Sequence, residues 1–146
     1  MAKFTWDHVH IRTPDVEATA QWFEKMLGAE ITRSMQQGTP RVDMKIGGAN
    51  VFLAPVKDGD GVNTPPKTPY QGLDHFGLEV DDIEDTVARM RKFDPELDAL
   101  KRPPIRPYAA YSAHDPDTNI FDLSQRNIGF QKDVYAENEG GEPRTR

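Results

Sequence analysis

Two histidines 67 residues apart, His8 and His75, and one late carboxylate, Asp122, are the side chains of this 146-residue chain best suited to joint chemistry. Each histidine follows an aspartate and opens an alternating apolar run: Asp7-His8-Val9-His10-Ile11-Arg12, then Asp74-His75-Phe76-Gly77-Leu78-Glu79. Set without a gap, 6–27 and 73–94 are identical at six of 22 positions: Asp7/Asp74, His8/His75, Asp15/Asp82, Glu17/Glu84, Thr19/Thr86 and Lys25/Lys92. Ile11/Leu78 and Val16/Ile83 agree in kind. A repeat at one long offset implies two copies of a supersecondary unit, with equivalent residues in equivalent places. A lone strand histidine is more often structural than a ligand; the repeat is what singles these two out. A divalent ion between them needs further nitrogen or oxygen donors at about 2.0–2.2 Å. Asp122 is the best of these, flanked by Ile120, Phe121 and Leu123 where a carboxylate facing inward without a partner is costly.

Composition narrows the chemistry. The chain has no cysteine, which excludes a disulfide framework, a thiolate metal site and a cysteine nucleophile. Eighteen basic against 24 acidic residues give a net charge of −6. The one basic cluster, Lys101, Arg102 and Arg106, is broken by prolines and reads as a solvated loop, so no nucleic-acid partner is expected. No apolar run approaches the roughly 20 residues that span a bilayer, and the first residues lack the apolar core of a signal peptide. No membrane partner is expected, and the expected location is the cytoplasm.

The elements that position these residues follow from local pattern. Residues 4–12 alternate as a strand, with Val9 and Ile11 on one face and His8, His10 and Arg12 on the other. Thr13-Pro14-Asp15 opens a helix capped by Thr13, which runs through Val16, Ala20, Phe23 and Leu27 to Gly28. Strands follow at 29–34, 41–46 and 51–53, the last two around the Gly47-Gly48 turn. Residues 56–72, rich in Gly, Pro and Asp, link this module to a second. There, a strand at 73–80 leads to a helix through Ile83, Val87 and Met90, with Asp81-x-x-Glu84 as its capping box. Prolines interrupt 94–107, and strands are expected at 108–113 and 119–123 around a turn that contains His114. The pattern fades into a polar tail, 128–146.

Three motifs in this order resemble the vicinal oxygen chelate superfamily, which includes glyoxalase I, epimerases, extradiol dioxygenases, fosfomycin-resistance proteins and bleomycin-binding proteins. Asp7-His8-Val9-His10-Ile11-Arg12-Thr13-Pro14-Asp15 resembles its opening strand, and Asp74-His75-Phe76-Gly77-Leu78 its second opening strand. Asp115-Pro116-Asp117-Thr118-Asn119-Ile120-Phe121-Asp122-Leu123 resembles its closing motif, with Thr118 where a glycine is usual and Asp122 where a glutamate is usual. The resemblance implies an α+β fold: two βαβββ modules, 4–55 and 73–127, forming one curved mixed sheet around a metal cleft in a single domain, 1–127. It also implies His8, His75 and Asp122 as metal ligands. The family's fourth ligand position falls at Phe52, or at Leu53 under a one-residue shift, and neither can bind metal. Three protein ligands resemble the open arrangement of the dioxygenase branch, with Fe(II) favoured and Mn(II), Zn(II) or Ni(II) as alternatives. By the same resemblance Arg12 lies where a substrate carboxylate is bound, and the chain pairs as a homodimer; His10, on the His8 face, Glu79, on the His75 face, and Tyr108 or Tyr111 are candidates for proton transfer.

The expected protein is therefore a metal-dependent enzyme acting on a small substrate with two adjacent oxygens, leaning to dioxygenase-like chemistry. Two rivals stay open: a glyoxalase-type lyase, isomerase or epimerase, and a metal-free small-molecule binding protein of the bleomycin-resistance kind.

Overall fold

A computed structural model describes residues 1–67, 69–101, 109–117 and 119–125. Each module has the order strand, helix, three strands. The first comprises β1 (His8–Thr13), α1 (Val16–Leu27), β2 (Glu30–Gln36), β3 (Thr39–Ile46) and β4 (Ala49–Pro55). The second comprises β5 (His75–Glu79), α2 (Ile83–Phe93), β6 (Ala99–Lys101), β7 (Ala109–His114) and β8 (Ile120–Gln125). The eight strands form two four-stranded mixed sheets, ordered β1-β4-β3-β2 and β5-β8-β7-β6, rather than the single sheet expected. In both, the opening strand pairs in parallel with the closing strand of its own module. Two compact units result: Met1–Gly72 with Asp115–Asn119, and Leu73–His114 with β8.

In the first unit the alternation of β1 is realised as read. Ile11 and Thr13 are buried with Val42, Met44, Ile46, Val51 and Leu53 under the α1 residues Ala20, Phe23 and Met26. Asp15, in extended conformation, caps α1 by accepting the Ala18 amide at 3.0 Å, and Gly28 ends it at φ 66°. Thr13 is not the cap, because it is wholly buried and its hydroxyl meets that of Thr19 at 2.7 Å. Thr19 in turn donates to Asp117 Oδ2 at 2.9 Å, within the same unit. The Arg33 guanidinium bonds Glu17 and holds that carboxyl below its usual range.

The second unit repeats the device with Asp82, which accepts the Asp85 amide at 3.0 Å. The expected cap at Asp81 is displaced by one residue, and the Asp81 carbonyl instead accepts from the Gln125 side chain, whose oxygen takes the Ile83 amide at 2.9 Å. Ile83, Val87 and Met90 of α2 are buried, as are Phe121 and Leu123 of β8, with Phe76 stacked near Phe121. Strand β5 is shorter than expected, leaving Leu73 exposed outside it. Residues 102–108, which include Tyr108, and the tail from 126 lie outside the described residues. No helix among the described residues is long and apolar enough to cross a membrane.

Candidate metal centre

Strand register fixes which side chains share a face, because directly paired residues point to the same side. In the first sheet, His8 pairs with Asn50, His10 with Phe52 and Arg12 with Ala54. Phe52 pairs onward with Asp43, and Asp43 with Thr32. This polar face lies opposite the α1 core and carries His8, His10, Arg12, Phe52 and Asp43. Leu53, 3% exposed, belongs to the core, whereas Phe52 shares the face of His8 and His10. The His8 and Phe52 rings stack at 4.5 Å, and His10 meets Phe52 edge-on at 6.1 Å. Arg12 and His10 are exposed, with no hydrogen bond or ion pair among the described residues.

In the second sheet His75 pairs with Ile120, Gly77 with Asp122 and Glu79 with Ser124. His75, Asp122 and Glu79 therefore share a face. Gly77 beside Asp122 presents no side chain, and Asp122 leans to the diagonal neighbour: its Oδ2 lies 3.2 Å from His75 Nε2. Two donors each about 2.1 Å from one ion and about 90–109° apart are separated by about 3.0–3.4 Å, so this spacing fits a shared ion.

The repeat explains the aspartates. Asp7 Oδ2 holds His8 Nδ1 at 2.5 Å, and Asp74 Oδ2 holds His75 Nδ1 at 2.6 Å. An ionised carboxylate only accepts, so a neutral imidazole held in this way donates through Nδ1 and turns Nε2 toward a metal. Ligand histidines are commonly oriented in this way. The donor set thus suits a divalent ion in chemistry. Among the described residues no group of three or more His, Asp or Glu is close enough to hold one. The structure brings together His75 and Asp122, while His8 belongs to the first unit.

Tyr111 does not join this face. It pairs with buried Leu123, is 5% exposed, and donates its hydroxyl to Glu84 of α2 at 2.9 Å. Tyr111 is thus on the core side of β7, away from the face of His75 and Asp122. His114, read as a turn residue, ends β7 and pairs with Ile120, placing it on the His75 face. Its Nδ1 lies 3.0 Å from Asp98 Oδ2, an ion-pair distance without hydrogen-bond alignment. The alternation of Ser112 and His114 with Tyr111 and Ala113 carried both facts.

The closing turn is built around Asp115. Its Oδ1 accepts the Asp117 and Asn119 amides at 2.9 and 2.8 Å, and its Oδ2 accepts Asn119 Nδ2 at 2.8 Å. Burial pushes the Asp115 carboxyl above its usual range, and the bonds from Asn119 pull it part of the way back.

With fold and geometry in hand, residues 7–104 match the family model described as the Glyoxalase/Bleomycin resistance protein/Dioxygenase superfamily. The chain belongs to that superfamily. Its fold is similar to the genomically encoded fosfomycin resistance protein FosX of Listeria monocytogenes, at TM-score 0.69 and 14% identity over 93% of this chain and 99% of that one. TioX of Micromonospora sp. ML1 is similar at TM-score 0.62 and 14% identity, over 84% and 98%. An integron cassette protein from the mobile metagenome of V. cholerae is similar at TM-score 0.58 and 19% identity, over 86% and 97%. A FosX variant has been solved with Mn(II) and 1S,2S-dihydroxypropylphosphonic acid. No curated protein matches the chain.

Proposed function

We propose that this chain is a divalent-metal-dependent enzyme acting on a small substrate that chelates through two adjacent oxygens, with His8, His75 and Asp122 as protein ligands. One observation carries the reading: both repeat-equivalent histidines have Nδ1 engaged by the preceding aspartate, and His75 Nε2 already lies 3.2 Å from Asp122 Oδ2. A bound ion supplies Lewis acidity to the substrate oxygens. The chain's own residues do the rest. Arg12 offers a guanidinium fork to an anionic substrate group. His10 and Glu79, each on the face of a ligand histidine, take or return a proton. Phe52 contributes no donor, which leaves three protein ligands and favours oxygen-dependent, dioxygenase-like chemistry with Fe(II). The likeness to FosX, solved with Mn(II) and a vicinal diol, favours a second reading: non-oxidative activation of a chelating substrate.

The test is to offer anaerobically iron-loaded protein a panel of catechols and hydroxy acids while following oxygen uptake. In parallel, Ni(II), Zn(II) and Mn(II) protein receives the hemithioacetal of methylglyoxal and glutathione. Substrate-dependent oxygen uptake supports the first reading. Isomerisation of the hemithioacetal with no oxygen uptake on any candidate replaces it with the second. The proposal includes a homodimer, since among the described residues each sheet ends in two outer strands that pair on one side only; the cytoplasm is proposed as its location. Sedimentation as a monomer at micromolar concentration refutes the dimer.

A further inference from the structure

The two ligand histidines are not held alike. The His75 side chain is 12% exposed, so its surroundings restrain it, whereas the His8 side chain is 40% exposed and its partner Asp7 is 84% exposed. Water competes with so open a bond, and an exposed pair of this kind restrains a side chain weakly. What His8 has instead is the Phe52 ring, stacked at 4.5 Å and 25°.

Phe52 is itself pinned. Strand β4 lies between β1 and β3, where Phe52 pairs with His10 and Asp43 and its ring meets the diagonal neighbours His8 and Arg41. The Arg41 guanidinium carbon sits 4.6 Å from the Phe52 centroid, and a cation over an aromatic face is attracted to it. Arg41 is fixed in turn, its Nε donating to Asp43 Oδ2 at 2.6 Å and its Nη1 to Gln36 Oε1 at 2.8 Å. Each member of the layer Arg41–Phe52–His8 thus has its orientation set by the next.

We propose that Phe52 is a positioning residue for His8: the aromatic ring occupies a family ligand position and, clamped by Arg41, fixes the imidazole plane so that the Asp7-bonded tautomer persists on an open face. The inference rests on the metal reading for its consequence, tighter ion binding, but the effect on the imidazole stands apart from it.

The experiment compares wild type, Phe52→Leu, Phe52→Tyr and Arg41→Gln. Long-range 1H–15N correlation of the imidazole nitrogens reports the His8 tautomer in metal-free protein, and competition with a chelating dye reports Zn(II) affinity. Wild type is expected to show one Nδ1–H tautomer. Phe52→Leu should mix the tautomers and weaken Zn(II) binding by about tenfold, the low end for losing a group that orients a ligand. Phe52→Tyr, which keeps the stack, should restore both, and Arg41→Gln should fall between. An unchanged tautomer in Phe52→Leu overturns the proposal, whether or not affinity falls, and so does failure of Phe52→Tyr to restore it. If wild type binds no Zn(II), the proposed function fails and the tautomer comparison alone decides this inference.

Discussion

Replacing Asp115 with alanine tests whether the closing motif is built as described. The residue is 4% exposed, and its carboxylate accepts three hydrogen bonds, two from backbone amides and one from the Asn119 side chain. At about 1–1.5 kcal/mol net per bond, their loss costs about 3–4 kcal/mol. Where Asp115 is ionised, relief of its desolvation offsets these bonds, because burial outweighs them in setting its pKa, so the full loss is expected where the carboxyl is neutral. At acidic pH the expected loss is about 3 kcal/mol. Urea unfolding followed by tryptophan fluorescence should show a lower midpoint at unchanged slope. The pH dependence has a definite sign. A carboxyl raised in the folded state binds more protons there than when unfolded, so its stabilisation is full below the unfolded value near about 3.9 and declines as pH rises through the folded one. The gap between wild type and Asp115→Ala should narrow over that rise. An alanine variant within about 0.5 kcal/mol of wild type at acidic pH, or a gap that widens with pH, refutes the reasoning.

Two further outcomes follow from buried hydroxyls. Thr19→Val keeps shape but strips Asp117 of a donor and Thr13 of a partner; Thr19 is 2% and Thr13 0% exposed, so it should cost about 1–3 kcal/mol by the same unfolding assay. Tyr111→Phe removes the bond to Glu84 and should cost about 0.5–1.5 kcal/mol while leaving Zn(II) affinity unchanged. A fall in affinity would give Tyr111 a part at the proposed site.

The sequence made much of this legible, and the failures have physical causes. The repeat announced equivalent histidines, and its aspartates prove to be the orienting partners Asp7 and Asp74 and the helix caps Asp15 and Asp82. Alternation in β1 separated His8, His10 and Arg12 from the core. The caps were misplaced by one or two residues because Thr13 and Asp81 are valid capping types, and only burial of Thr13 and the Gln125 contact decide against them. The face of Tyr111 was not legible, because strand phase in β7 is set by pairing with β8, more than by residue type. Arg41, Asp43 and the Phe52 stack were not foreseen, since they join three strands that only the sheet register makes neighbours.

Calorimetric titration of metal-free wild type, His8→Ala, His75→Ala and Asp122→Ala with Zn(II) tests the central claim most directly. The account predicts about one ion per chain in wild type and affinity lowered by at least about tenfold in each variant. Equal binding by all four proteins, or no binding by wild type, contradicts it.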